Sequence, residues 1–117
     1  MIASWKHTLE AHGATILNDQ VADFGDVESE RRQAAHGAIV ADLSPLSLIQ
    51  FAGEDAQTFL QGQLSNDVRL LDGNNTQYTS YNTPKGRMLA NGLLWQGAPN
   101  TYVLQLPASL REAIQKR

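Results

Sequence analysis

The chain contains no cysteine, which excludes disulfides, thiolate metal sites, iron–sulfur ligation and cysteine nucleophiles within it. Long hydrophobic runs are missing too. The longest, such as Gly92-Leu93-Leu94-Trp95, fall far short of the ~20 residues that span a bilayer, so no membrane association is expected. The opening Met1-Ile2-Ala3-Ser4-Trp5-Lys6-His7 is broken by polar groups before the core of a signal peptide can form. A soluble, cytoplasmic chain is the expectation, and the sequon Asn74-Asn75-Thr76 is then an idle match. Basic charge is not in surplus. Nine Lys+Arg against twelve Asp+Glu give a net charge of −3, which argues against a broad nucleic-acid footprint while allowing a local basic patch. The three histidines, His7, His12 and His36, never fall at the i, i+4 spacing that places two ligands on one helix face, and no metal site is expected. The glycines Gly62, Gly73, Gly86, Gly92 and Gly97 form neither a P-loop nor a dinucleotide fingerprint.

What is present is a chain of 117 residues, 42% apolar and 18% charged, enough for one α+β domain or a piece of a larger one. Ile2, Trp5 and Leu9 recur at helical spacing before Gly13, predicting a helix over residues 3–12. The run from Asp26 to His36 has acids early and histidine late, with Gly37 beyond, which predicts a surface helix and makes 1–37 a helical N-terminal arm. Residues 38–117 then read as a strand–helix–hairpin core. Ala38–Val40 and Ser47–Phe51 are apolar and partly β-branched, predicting strand segments around a loop. Glu54 and Asp55 introduce a helix over about 54–62. Strands are expected at 76–81, 87–96 and 101–106 in one antiparallel sheet, the first two joined as a hairpin by Asn82-Thr83-Pro84-Lys85-Gly86. Pro107 and the capping-box spacing Ser109-Leu110-Arg111-Glu112 open a last helix, which stops in mid-pattern at Gln115-Lys116-Arg117.

Two places carry chemical information. In Pro84-Lys85-Gly86-Arg87 two cations flank a glycine in a tight loop, a geometry that holds a carboxylate or phosphate; the alternative is a solvated hairpin tip. In the following strand Leu89, Asn91, Leu93 and Trp95 share one face by alternation. A single amide among leucines and an indole suits a flat, hydrogen-bonding heterocycle, and suits equally an edge face with Asn91 in water.

The segment Phe59-Leu60-Gln61-Gly62-Gln63-Leu64-Ser65-Asn66-Asp67-Val68, with Tyr81-Asn82-Thr83-Pro84-Lys85-Gly86-Arg87-Met88-Leu89 after it, resembles the folate-binding YgfZ family. That family is related to the glycine-cleavage T-protein, the tetrahydrofolate-dependent aminomethyltransferase. Asp42-Leu43-Ser44 and Gly53-Glu54-Asp55-Ala56 are similar to the same family's N-terminal domain, and the likeness runs from about Ala38 to Arg117. The resemblance implies tetrahydrofolate or another folate as cofactor, with Leu46, Tyr78, Asn91, Leu93 and Trp95 around it. It places Asn91 where the aminomethyltransferases have an aspartate, and Pro107 where they tend to have an asparagine. An amide cannot take or hold a proton as a carboxylate does, so no catalytic residue is assigned. The expected function is therefore folate binding in support of iron–sulfur enzymes, including those that modify tRNA, without transferase turnover; the alternative is a tetrahydrofolate-dependent aminomethyltransferase. A nucleic-acid-binding module is the third reading, disfavoured by the acidic balance. The resemblance also implies an incomplete N-terminal domain, with the remainder of its own chain as its first partner.

Overall fold

In a computed structural model that describes residues 1–117, the chain divides into two units, Met1–Pro45 and Leu46–Arg117. In the first, helix α1 (Ala3–Ala11) buries Leu9 and ends before Gly13, whose φ of +91° suits a residue without a Cβ. Helix α2 (Val27–His36) starts where the Asp26 carboxylate accepts from the Ser29 amide, while the Glu30 carboxylate accepts from the Phe24 and Asp26 amides. The helical arm also contains a hairpin that the sequence pattern did not reveal, β1 (Thr15–Leu17) and β2 (Gln20–Asp23). Its turn residues Asn18 and Asp19 both have positive φ, +50° and +62°, the conformation of a tight two-residue hairpin turn that Asn and Asp tolerate. The expected strand at Ala38–Val40 does not form. Ile39 and Val40 are 58% and 96% exposed, and β-branched residues favour a strand only where they have a pleated neighbour to pack against.

The connector after α2 is tied back by Asp42. Its Oδ1 accepts from the Ser44 hydroxyl at 2.7 Å and from the Trp5 indole N–H at 2.8 Å. The Ser44 hydroxyl, with the indole second, holds the Asp42 carboxyl below its ordinary range against the opposing effect of desolvation. A group depressed in the folded state stabilises it above the unfolded pKa and loses that contribution as pH falls through the folded pKa. In a Trp95→Phe background, Trp5 emission is therefore expected to change on acidification with a midpoint below the ordinary aspartate value of ~3.9, and Asp42→Asn should abolish the step. A midpoint at or above that value would show that the indole bond does not hold the carboxylate.

The second unit is a four-stranded sheet in the order β3-β6-β5-β4, antiparallel throughout, built from β3 (Leu46–Ala52), β4 (Thr76–Asn82), β5 (Met88–Ala98) and β6 (Thr101–Pro107). β6 alternates cleanly, with Tyr102, Leu104 and Leu106 buried on one face. That face meets α3 (Ala56–Gln63) through Ala56 and Leu60, and α4 (Ala108–Gln115) through Leu110 and Ile114. Leu60, Leu94 and Leu106 are at most 1% exposed, and burying each contributes ~1.5–3 kcal/mol. All helices of this unit lie on the core side, which leaves the opposite face of the sheet bare.

Two helix starts differ from expectation. Asp55 occupies the cap position of α3 without a side-chain cap bond, so Glu54 and Asp55 precede the helix rather than forming its first turn. The Ser109–Glu112 capping box is not made. Pro107, with φ of −55°, sits at the cap of α4 and the helix begins immediately after it, which puts Ser109 inside.

Candidate functional site

Alternation and register together decide what the bare face carries. Tyr78 pairs with Leu93, Ser80 with Asn91, Leu93 with Gln105 and Leu46 with Pro107. Leu46 on β3, Tyr78 on β4, and Asn91 and Leu93 on β5 thus come together around one cavity of about 570 Å³, within the usual size range of small-molecule sites. Its apolar wall is completed by Pro107, its polar wall by Ser65, Ser80 and Gln105. No charged side chain lines it. Tyr78 is 81% exposed, a ring standing free at the edge.

Trp95 is not brought into this cavity. It lies further along β5, paired with Thr76 and Val103, beside a separate depression shared with Gly73–Thr76. Leu89 also leaves the predicted face. Tyr81 pairs with Ala90 but Asn82 with Met88, so Leu89 is the extra residue of a β-bulge. The bulge puts Met88, not Leu89, in the cavity wall, 3.6 Å from the Asn91 amide nitrogen at its sulfur. Strict alternation could not have found Met88, because the bulge comes from a mismatch with β4 rather than from anything in β5 alone.

Ser65, Ser80 and Thr79 were likewise missed. The segment after α3 runs along the outer edge of β4 and clamps it. Leu64 bridges to Tyr81, the Ser65 amide donates to the Ser80 carbonyl at 3.0 Å, and the Asn66 amide donates to the Tyr78 carbonyl. Gln61 accepts from the Val68 amide at 2.7 Å, and Asp67 accepts from the Arg69 backbone and guanidinium. That guanidinium, through its side-chain hydrogen bond, lowers the Asp67 carboxyl below its ordinary range. The Gln61–Asp67 segment therefore covers an edge that would otherwise present unpaired backbone groups. It also sets Ser65 Oγ 3.0 Å from Ser80 Oγ, with the Asn82 amide donating to the latter at 3.2 Å. Thr79, 5% exposed, borders the cavity too, but alternation between Tyr78 and Ser80 turns its side chain to the core face, where its buried hydroxyl has no partner within the protein. A serine-asparagine-aspartate run after a helix, followed by a strand rich in hydroxyls, was the available signal.

Lys85 and Arg87 occupy the exposed turn between β4 and β5, directly before Met88. The turn is closed by the Thr83 amide donating to the Arg87 carbonyl at 2.8 Å and the Gly86 amide to the Thr83 carbonyl at 2.8 Å. No group of three or more metal-ligating side chains lies together, and no helix is long and apolar enough to cross a membrane.

The GCVT N-terminal domain family matches residues 5–116. The chain belongs to that family. It is 30% identical to the aminomethyltransferase of Bacillus subtilis (strain 168) over 86 residues, 74% of this chain and 24% of that protein. It is 28% identical to the aminomethyltransferase of Bacillus pumilus (strain SAFR-032) over 107 residues, 88% of this chain and 29% of that one. Among solved structures it is similar to the glycine cleavage system aminomethyltransferase T from Bartonella henselae, with a TM-score of 0.75 at 21% identity over 94% of this chain and 32% of that chain. The fold is thus that of the N-terminal part of an aminomethyltransferase, and the chain spans about a quarter to a third of these relatives' length.

Proposed function

We propose that this domain binds tetrahydrofolate in the cavity of the bare sheet face, as part of a cytoplasmic protein of the YgfZ branch that supports iron–sulfur enzymes, without transferring an aminomethyl group. The observation that carries the reading is the grouping of Leu46, Tyr78, Asn91 and Leu93 around one uncharged cavity. Its chemistry fits a pterin. Leu46, Met88 and Leu93 offer flat apolar contact, and the free ring of Tyr78 can cover it. Asn91 presents an acceptor and two donors to a hydrogen-bonding ring edge, and the Ser65–Ser80 pair adds neutral polar contacts. Bound tetrahydrofolate would supply ring nitrogens that carry one-carbon units. The iron–sulfur role is supported by the resemblance of the Phe59–Val68 and Tyr81–Leu89 segments and by the amide at position 91.

The second reading, a tetrahydrofolate-dependent aminomethyltransferase, is favoured by the relatives the chain matches. Titrating the complete protein with tetrahydrofolate in a calorimeter tests the shared part of both. Saturable binding is expected, weakened roughly tenfold, about 1.4 kcal/mol, by Tyr78→Ala or Leu93→Ser. Absence of binding by the wild type, or unchanged affinity in both variants, would remove the cavity from the reading.

A further inference from the structure

Sulfur is scarce in this chain. There is no cysteine, and beyond the first residue the only methionine is Met88. Met88 is 56% exposed, yet it stands in the wall of the sheet-face cavity, where the β-bulge between β4 and β5 has put it in place of Leu89. Its thioether is therefore open both to solvent and to whatever occupies the cavity. The Met88 sulfur lies 3.6 Å from Asn91 Nδ2 and accepts from that amide, a weak bond because a thioether is a poor acceptor. A weak bond leaves the amide free to turn to a ligand. An exposed thioether is also open to oxidants, which convert an apolar, flexible side chain into a polar one.

We propose that Met88 is an oxidation site, and that a hydroperoxide acting there lowers the cavity's affinity for its ligand until the sulfoxide is reduced again. The inference rests on the folate reading above and adds to it a means of regulation. The sulfur attacks the terminal oxygen of the hydroperoxide; the O–O bond breaks, an S–O bond forms, and the proton of that oxygen passes to the departing alkoxide or hydroxide, which leaves as an alcohol or water. Sulfur loses two electrons and the peroxide gains two. Reversal takes a dithiol, which is oxidised to a disulfide as the oxygen leaves as water. Two contacts change at once. The apolar surface offered to a ring becomes a polar, chiral sulfoxide, and the sulfoxide oxygen is a far stronger acceptor than the sulfur was. Asn91, already in contact with Met88, then commits its donor to Met88 rather than to a ligand.

The test uses the complete protein, treated with hydrogen peroxide, freed of it, and then titrated with tetrahydrofolate in a calorimeter. Trypsin releases Met88–Arg111 as one peptide, because no Lys or Arg lies between Arg87 and Arg111, and its fragment masses tell oxygen on Met88 from oxygen on Trp95. Full conversion of Met88 to the sulfoxide is expected to weaken binding at least tenfold, and a pair of methionine sulfoxide reductases, one for each epimer, should restore both the thioether and the affinity. Met88→Leu, whatever its own affinity, should bind equally before and after peroxide. Met88→Gln, polar without any treatment, should bind weakly from the start. Met88 left intact while free methionine is oxidised, an affinity unchanged by full oxidation, the same loss in Met88→Leu, or wild-type affinity in Met88→Gln overturns the inference and leaves the cavity reading standing. Failure of the untreated wild type to bind tetrahydrofolate overturns both.

Discussion

Gly92→Ala is expected to be severely destabilising, although it adds one methyl group to a strand where alanine is ordinarily tolerated. A Cβ at Gly92 would stand 2.0 Å from the backbone oxygen of Gln105 and 3.1 Å from its carbonyl carbon, with a Leu104 methyl at 3.2 Å. A side chain could swing aside, but a backbone oxygen cannot move without pulling β6 from β5. Overpacking of this kind typically costs ~1–3 kcal/mol, and more when the obstacle is rigid, so ~3 kcal/mol or more is expected here. Thermal unfolding should fall by roughly 4–8 °C for each kcal/mol lost. Gly97→Ala is the control, because its nearest obstacle is a Val103 methyl at 3.6 Å. A Gly92→Ala protein melting within about 2 °C of the wild type would show that the two strands yield easily. The expected damage extends to the cavity. Gly92 lies between Asn91 and Leu93 and opposite Thr79, so separating β5 from β6 displaces cavity-lining groups on both sides.

The same glycine shows what was legible in the sequence. An isolated glycine inside a strand pattern signals a close backbone approach, yet the sequence does not say which backbone approaches. The expected strands at 76–81, 87–96 and 101–106 and the helix at 54–62 are present at β4, β5, β6 and α3. Each has a long periodic stretch or a strong turn before it, as in Asp72-Gly73-Asn74-Asn75. β1 and β2 were illegible because three and four residues carry too little periodicity. Ala38–Val40 was misread for the opposite reason, since its β-branched residues looked like a strand but have no partner strand. At the cavity, Leu46, Tyr78, Asn91 and Leu93 came from resemblance and alternation together, while Met88 needed the bulge and Ser65 and Ser80 needed the edge clamp on β4. Pairing between strands is information about two segments at once, and one segment's pattern does not contain it.

Asn91→Leu in the complete protein is expected to weaken tetrahydrofolate binding by roughly 5- to 150-fold, the ~1–3 kcal/mol that an unpaired polar group costs when it is removed from water. Asn91→Asp should instead stay within about tenfold of the wild type, because a carboxylate of nearly the same shape keeps the acceptor and loses only the donor. Both expectations follow from Asn91 facing the cavity beside Met88. The reaction separates the two side chains further. Moving an aminomethyl group onto a folate nitrogen needs a neighbouring group that holds negative charge or exchanges a proton as bonds change, and an amide provides only a fixed dipole. Losing a positioned acid or base usually costs ~10²–10⁴ in rate, so the wild type is expected to show at most trace transfer. A polar residue merely solvated on an open strand would also give no transfer, but then Asn91→Leu would leave affinity untouched, and the binding series tells the two apart. Wild-type protein that passed an aminomethyl group to tetrahydrofolate at ordinary enzymatic rates would show that another group near the cavity does the work of the missing aspartate.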